Sequence, residues 1–114
     1  MAAGLHLLFE GISKHLLSSL EIHEFLTECP RAIQLTIFAG PFVYPTEYGL
    51  AGMVLVAESH CSVHTVGLEM YVDIFSCKYF PTSPVMELAY DLLFLEDKPK
   101  PRTQVLRRGW SQSP

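Results

Sequence analysis

With 114 residues the chain has room for one domain around one core, and 49% hydrophobic content with a mean hydropathy of +0.24 is enough to fill it. No apolar run reaches the roughly 18 to 20 residues of a membrane span, and the first residues lack the basic start and apolar core of a signal peptide, so the expected compartment is the cytoplasm, with no membrane partner. Twelve acidic side chains against eight basic ones leave a net charge of -4, which argues against a nucleic-acid partner.

The charge is divided along the chain. All twelve acidic residues lie at or before Asp97 and face only Lys14, Arg31 and Lys78, a net of -9 over residues 1 to 97. The remaining basic residues, Lys98, Lys100, Arg102, Arg107 and Arg108, make the tail +5. An acidic body attracts small cations, although a solvated acidic surface is the commoner reason for such a balance. Cys29, Cys61 and Cys77 are an odd count without metal-knuckle spacing, which points to reduced thiols.

In chain order, Leu5 to Glu10 reads as a strand with Leu5, Leu7 and Phe9 on one face and His6 and Glu10 on the other, ended by Gly11. Ser18-Ser19-Leu20-Glu21 fits a capping box, after which Ile22, Phe25, Leu26 and Cys29 recur at helical spacing until Pro30 stops the helix. Ile33, Leu35 and Ile37 alternate with Gln34, Thr36 and Phe38 as a second strand running into the Gly40-Pro41 break. Leu50 to Ala57 is a third strand. Glu69 to Cys77 is a fourth, with Tyr71, Asp73, Phe75 and Cys77 on one face and the third strand as its expected neighbour. Ser83 and Pro84 suit the cap and first turn of a second helix whose buried stripe is Val85, Leu88, Ala89, Leu92 and Leu95. Lys98 to Pro101 is a stiff connector, Thr103 to Arg107 a short edge strand, and Trp110 onward a frayed end. The expected fold class is α/β, a single-domain two-layer sandwich over residues 1–114 with a mainly antiparallel sheet and its helices on one face.

For chemistry, the richest stretch is Glu58-Ser59-His60 through His64. It holds a hydroxyl nucleophile and two histidines within five residues, and a thiol follows on the next predicted strand. Any one serine alone is most often a surface hydroxyl. A metal reading through Glu58, His60, Cys61 and His64 is weakened by the extended character of the stretch. Residues four apart on a strand are about 13 Å from each other, too far to share one ion, so no metal is expected. A Cys77–His64 protease-like pair needs an oxyanion hole that the sequence does not reveal.

The run Ala57 to Thr65, with Asp73-Ile74-Phe75-Ser76-Cys77 after it, resembles the processing and catalytic signature of the S-adenosylmethionine (AdoMet) decarboxylase family in its short prokaryotic form. The resemblance implies self-cleavage between Glu58 and Ser59 into chains of 1–58 and 59–114, with Ser59 becoming a pyruvoyl cofactor. It makes His64 the processing histidine and Cys77 the donor that protonates the substrate carbon after carbon dioxide leaves. The pyruvoyl carbonyl forms a Schiff base with the substrate amine and acts as an electron sink, so no external cofactor is implied. Leu5 to Gly11 is similar to the family's first strand, which makes Glu10 a candidate for a substrate cation; Glu69 is a candidate to reach a ribose, and Asp73, on the strand face of Cys77, is either a buried ion-pair partner or a substrate contact. Members assemble as dimers of processed protomers, and a homodimer is expected here.

The departures bear on the substrate. After His-Thr the short form usually carries Trp-Pro-Glu, where this chain has Val66-Gly67-Leu68, with two residues fewer between His64 and Cys77. That Trp and an upstream aromatic stack on adenine, at about 1 to 3 kcal/mol per face. The upstream position falls near Pro45, the family's serine before the third strand is Ala51, and only Phe42, Tyr44 and Tyr48 lie near enough to substitute on one side. The expectation is therefore a basic amino acid, ornithine or arginine, as the cationic substrate in polyamine biosynthesis, with AdoMet as the alternative and an inactive regulatory paralogue as a non-enzymatic one. Cys29 reads as a core residue, Cys61 as a strand residue rather than a nucleophile, and His6, His15 and His23 as surface or packing residues.

Overall fold

The computed structural model describes residues 4–109, so the expectation for Trp110 onward lies outside the described residues. Its elements are β1 (Gly4–Ile12), α1 (Ser19–Ala32), β2 (Ile37–Pro45), β3 (Leu50–Val56), β4 (Ser59–Val66), β5 (Glu69–Ser76), α2 (Ser83–Leu92) and β6 (Arg102–Arg108). The six strands form one sheet in the order β2-β3-β4-β5-β1-β6, every neighbouring pair antiparallel. Both helices pack on the same side, α1 across β2, β3 and β4 and beside α2. The two-layer sandwich is as expected, and the alternation of each strand explains it. Leu7, Val54, Val63 and Val72 face the helices fully buried, while His6, Met53, His64 and Tyr71 face away.

Helix α1 begins where its capping box places it. Ser18 Oγ accepts from the Glu21 N–H at 3.1 Å and Glu21 Oε1 accepts from the Ser18 N–H at 2.8 Å. The same backbone hydrogen bond, more than the neighbouring His15, holds the Glu21 carboxyl below its ordinary range. Ile22, Phe25, Leu26 and Cys29 are all buried as predicted.

Several expectations are corrected. Four strands, not three, separate the helices, because Ser59–Val66 is a strand of its own joined to β3 through Ala57 and Glu58. Consequently β5 lies between β4 and β1, not beside β3. The second strand is Ile37–Pro45: Ile33 caps α1, Gln34 turns the chain at φ 61°, and Gly40-Pro41 sits inside the strand, where the register with β3 shifts. Pro30 lies in the last turn of α1, which continues to Ala32. Gly11 does not end β1, which runs to Ile12. Thr82 is the N-cap of α2 without a side-chain cap bond, and Ser83 and Pro84 occupy its first turn. Of that helix's predicted stripe, Val85 and Ala89 are buried and Leu88 and Leu92 partly so, whereas Leu95 is buried from the segment beyond the helix, bridged to Ser13. The edge strand near Thr103 is present as β6.

Helix α1 comes down on β3 at Gly52, where a Cβ would lie 2.8 Å from both Ile22 Cγ2 and Leu26 Cδ1. Substitution Gly52→Ala is expected to cost about 1 to 3 kcal/mol by overpacking this contact. Urea unfolding checks it: a lowered midpoint with an unchanged slope is expected, and an unchanged midpoint would place the helix further from the sheet.

Candidate active site

The sheet topology brings distant residues to one end. Strands β3 and β4 form a hairpin through Ala57 and Glu58, with Val56 opposite Ser59. Because β5 runs antiparallel to β4, its last residues return to the first residues of β4, with His60 opposite Phe75. Cys77 therefore arrives beside Ser59 although 18 residues separate them. The Cys77 N–H donates to Ser59 Oγ at 3.3 Å, and Cys77 Sγ donates to Glu58 Oε1 at 3.3 Å. Ser59 is buried and Cys77 half-buried.

Glu58 itself is held at φ 59°, the left-handed region. For a residue with a Cβ this costs on the order of 1 kcal/mol, and glycine is the usual occupant. The turn from β4 to β5 meets the same need with a glycine, Gly67 at φ 58°. The peptide link that follows Glu58 is thus presented from a strained turn, next to a serine hydroxyl and a thiol.

His64 lies elsewhere. Five residues beyond Ser59 on an extended strand, it is about 16 Å away along its own chain. It belongs to a row that crosses the whole sheet: Tyr44, Ala51, His64, Tyr71, Glu10 and Arg102 are successive register partners from β2 to β6. On one side of His64, Phe42, Tyr44, Ala51, Gly52 and Met53 line with it a mostly apolar cavity of about 270 Å³. On the other, Glu10, Tyr71, Asp73 and Arg102 border a cavity of about 370 Å³. Glu10 meets Arg102 at 3.8 Å. The Tyr71 hydroxyl donates to Glu69, and that bond, ahead of burial and the charges of Glu69 and Glu10, raises the phenol above its ordinary range.

Asp73 lies beside His6 without a hydrogen bond to it. Arg108 Nη1 donates to His6 Nδ1 at 3.0 Å, which places the imidazole proton on Nε2, facing Asp73 Oδ1 at 3.4 Å but out of hydrogen-bond alignment. His6 is therefore part of a polar cluster rather than a bystander. Phe75 completes that cluster, with His60 tilted at 5.9 Å, His6 edge-on at 6.1 Å and the Arg108 guanidinium 5.4 Å above its ring. Sequence reasoning placed Phe75 on this face but missed the cluster, since only the pairing of β6 with β1 brings Arg108 to it. No group of three His, Cys, Asp or Glu side chains able to hold a metal ion occurs among the described residues. No helix among them is long and apolar enough to cross a membrane.

The family model for S-adenosylmethionine decarboxylase matches residues 6–109, nearly the whole chain. The chain belongs to the S-adenosylmethionine decarboxylase family. It is 34% identical to an S-adenosylmethionine decarboxylase proenzyme of Archaeoglobus fulgidus, over 96% of this chain and 100% of that one. The crystal structure of the adenosylmethionine decarboxylase from Aquifex aeolicus shares the fold, with a TM-score of 0.78 at 24% identity over 99% of this chain and 96% of that one. The family consists of pyruvoyl-dependent decarboxylases.

Accessibility separates the three thiols. Cys29 and Cys61 are buried, and the neighbouring Cys29 thiol, followed by burial, pushes Cys61 well above its ordinary range. Iodoacetamide under native conditions is expected to label one cysteine per chain, Cys77, as read by peptide mapping. Labelling of Cys61 at a similar rate would contradict its place in the core.

Proposed function

We propose that the chain is a cytoplasmic, self-processing pyruvoyl-dependent decarboxylase that cleaves between Glu58 and Ser59 and works as a homodimer on a cationic amino-acid substrate. The observation that carries this reading is the meeting of the Glu58 turn, the Ser59 hydroxyl and the Cys77 thiol at one end of the sheet. In processing, Ser59 Oγ attacks the Glu58 carbonyl carbon, and the peptide becomes an ester. Loss of the Ser59 α-proton then breaks the Cβ–O bond, freeing the Glu58 carboxylate and leaving dehydroalanine, which hydrolyses to pyruvoyl and ammonia. The pyruvoyl group supplies an electron sink for the pair left when carbon dioxide departs. Cys77, beside residue 59 and half-open to solvent, delivers the proton to the substrate carbon.

His64, the base for the α-proton, cannot reach Ser59 along its own strand. A second copy supplies it. The sheet face opposite the helices supports such a pairing, since Phe42, Tyr44, Met53 and Leu55 lie exposed on it. A partner presenting His64 presents the rest of its row too. Glu10, 3.8 Å from Arg102, is then the best placed carboxylate for the substrate cation, while Glu69 is tied to the Tyr71 hydroxyl and Asp73 stands 3.4 Å from His6 Nε2 without a hydrogen bond to it.

Ornithine or arginine is the favoured substrate, because the turn after Val66 carries no residue to stack on adenine or hold a ribose. AdoMet is the second reading, favoured by the aromatic, mostly apolar cavity beside His64 and by the name of the Archaeoglobus fulgidus relative. Carbon dioxide release compared across AdoMet, ornithine, arginine and lysine decides between them.

The denatured mass of the purified protein is expected to give two fragments, residues 1–58 and 59–114, and Ser59→Ala one uncut chain. A single species of 12.8 kDa from the parent chain would favour the regulatory paralogue instead. Co-expression of Ser59→Ala with His64→Ala is expected to restore cleavage to the His64→Ala chain, whose Ser59 meets the other copy's histidine. Absence of cleavage in the mixture, with both chains folded and associated, would refute processing between copies.

A further inference from the structure

We propose that the Glu58 side chain, beyond ending the first fragment, is a positioning residue for the proton donor: its carboxylate holds the Cys77 thiol hydrogen and aims the sulfur at the site. This rests on the reading of Ser59 and Cys77 given above. Two observations carry it. The carboxylate accepts from Cys77 Sγ at 3.3 Å across the gap between the β3–β4 turn and the end of β5. Glu58 also occupies a φ 59° position that a glycine would fill with less strain, so the side chain is kept at a conformational cost.

The contact spans the cut. Its acceptor belongs to the first fragment and its donor to the second, so it also ties the new chain end to β5. The geometry suits the chemistry required of Cys77. A proton donor must keep its hydrogen until the substrate carbon carries the electron pair left by carbon dioxide, then give it up and become a thiolate, to be recharged from solvent. An anionic acceptor keeps that hydrogen in place until the S–H turns to the substrate carbon, and the pairing of β5 with β4 keeps the sulfur beside residue 59 after Ser59 Oγ has left with the Glu58 carboxylate. When the donor is misdirected, the proton goes instead to the cofactor carbon. Hydrolysis then releases the substrate as an aldehyde and leaves its nitrogen on the protein as an alanine at residue 59, which ends that active site.

Two measurements test this, one of them independent of the cofactor. In chains carrying Ser59→Ala, which remain uncut, iodoacetamide labelling of Cys77 is compared with and without Glu58→Gln. Loss of the charged acceptor is expected to speed labelling about fivefold, the size of losing one partly exposed charge-assisted hydrogen bond. Equal rates overturn the proposal. In chains that retain Ser59, Glu58→Gln is expected to cleave normally but to accumulate alanine-ended second fragments, which open to Edman sequencing, within far fewer turnovers than the parent; Glu58→Asp, which keeps the carboxylate, partly restores the parent ratio. An unchanged ratio overturns the proposal, and so does a Glu58→Gln chain that fails to cleave, which assigns the carboxylate to processing. A parent chain that never cleaves sinks the pyruvoyl reading instead, and the labelling comparison then decides the contact alone.

Discussion

The backbone ladders on both sides of β4 set the geometry on which the rest of the site depends. Pairing with β3 fixes the tight turn that holds Glu58, and pairing with β5 returns the chain to Ser59 with Cys77 alongside. The register has little freedom. Cys61, Val63 and Thr65 face the helices buried, and a slip of one residue would send His60 and His64 into the core in their place. Helix α1 adds to this constraint by lying across β2, β3 and β4 together, so that the ladders and the helix layer oppose the same slip. The polar residues of β4 are therefore placed by the apolar ones between them.

That division explains what could be read from the sequence. Strand β1, the capping box at Ser18 and Glu21, and the alternation of β5 are local signals, and each appears where its pattern puts it. Strand β4 was hidden for two reasons. The turn before it, Ala57-Glu58, contains none of the usual turn residues, and the strand carries buried hydroxyls at Ser59 and Thr65 where a half-buried strand normally shows apolar ones. Strand β2 was displaced because Ile33 to Phe38 alternates well, yet the packing of α1 draws Ile33 into the helix cap and leaves Gln34 to turn the chain. Alternation lost there to tertiary structure. The candidate residues were singled out through the Glu-Ser-His and Cys77 resemblance, but the meeting of Ser59 with Cys77 was not legible, since it requires β5 to lie beside β4. The separation of Ser59 from His64 was legible all along. The strand arithmetic that argues against a metal ion shared by residues four apart applies equally to residues five apart.

The split in charge along the sequence also resolves into structure. The basic tail folds back as β6 on the far side of β1, where Arg102 meets Glu10, Arg107 donates to the Tyr79 hydroxyl at 2.8 Å, and Arg108 reaches His6 and the Phe75 ring. Each of these contacts is exposed and worth at most about 1 kcal/mol. Their effect is one of placement. Those of Arg102 and Arg108 occupy polar groups on the open face, Glu10 and His6.

The turn between β4 and β5 is where this chain departs most from its family's pattern, and the register shows what the departure does. Thr65 pairs with Met70 and Val66 with Glu69, closing the hairpin over Gly67 and Leu68, a two-residue turn without Trp-Pro-Glu. The aromatic groups nearest His64 come instead from its own row, Tyr44 on β2 and Tyr71 on β5, and they stand on rigid strands rather than on a loop. Tyr71 is tied to Glu69, so it is poorly free to rotate onto a ligand. Exposed in the row are Tyr44 and His64 toward one edge and Arg102 at the other, with Glu10 half-buried beside Arg102. On the reading proposed above, Tyr44 and Glu10 offer a ligand one aromatic face and one carboxylate, and a substrate cation has to share that carboxylate with the Arg102 guanidinium 3.8 Å from it.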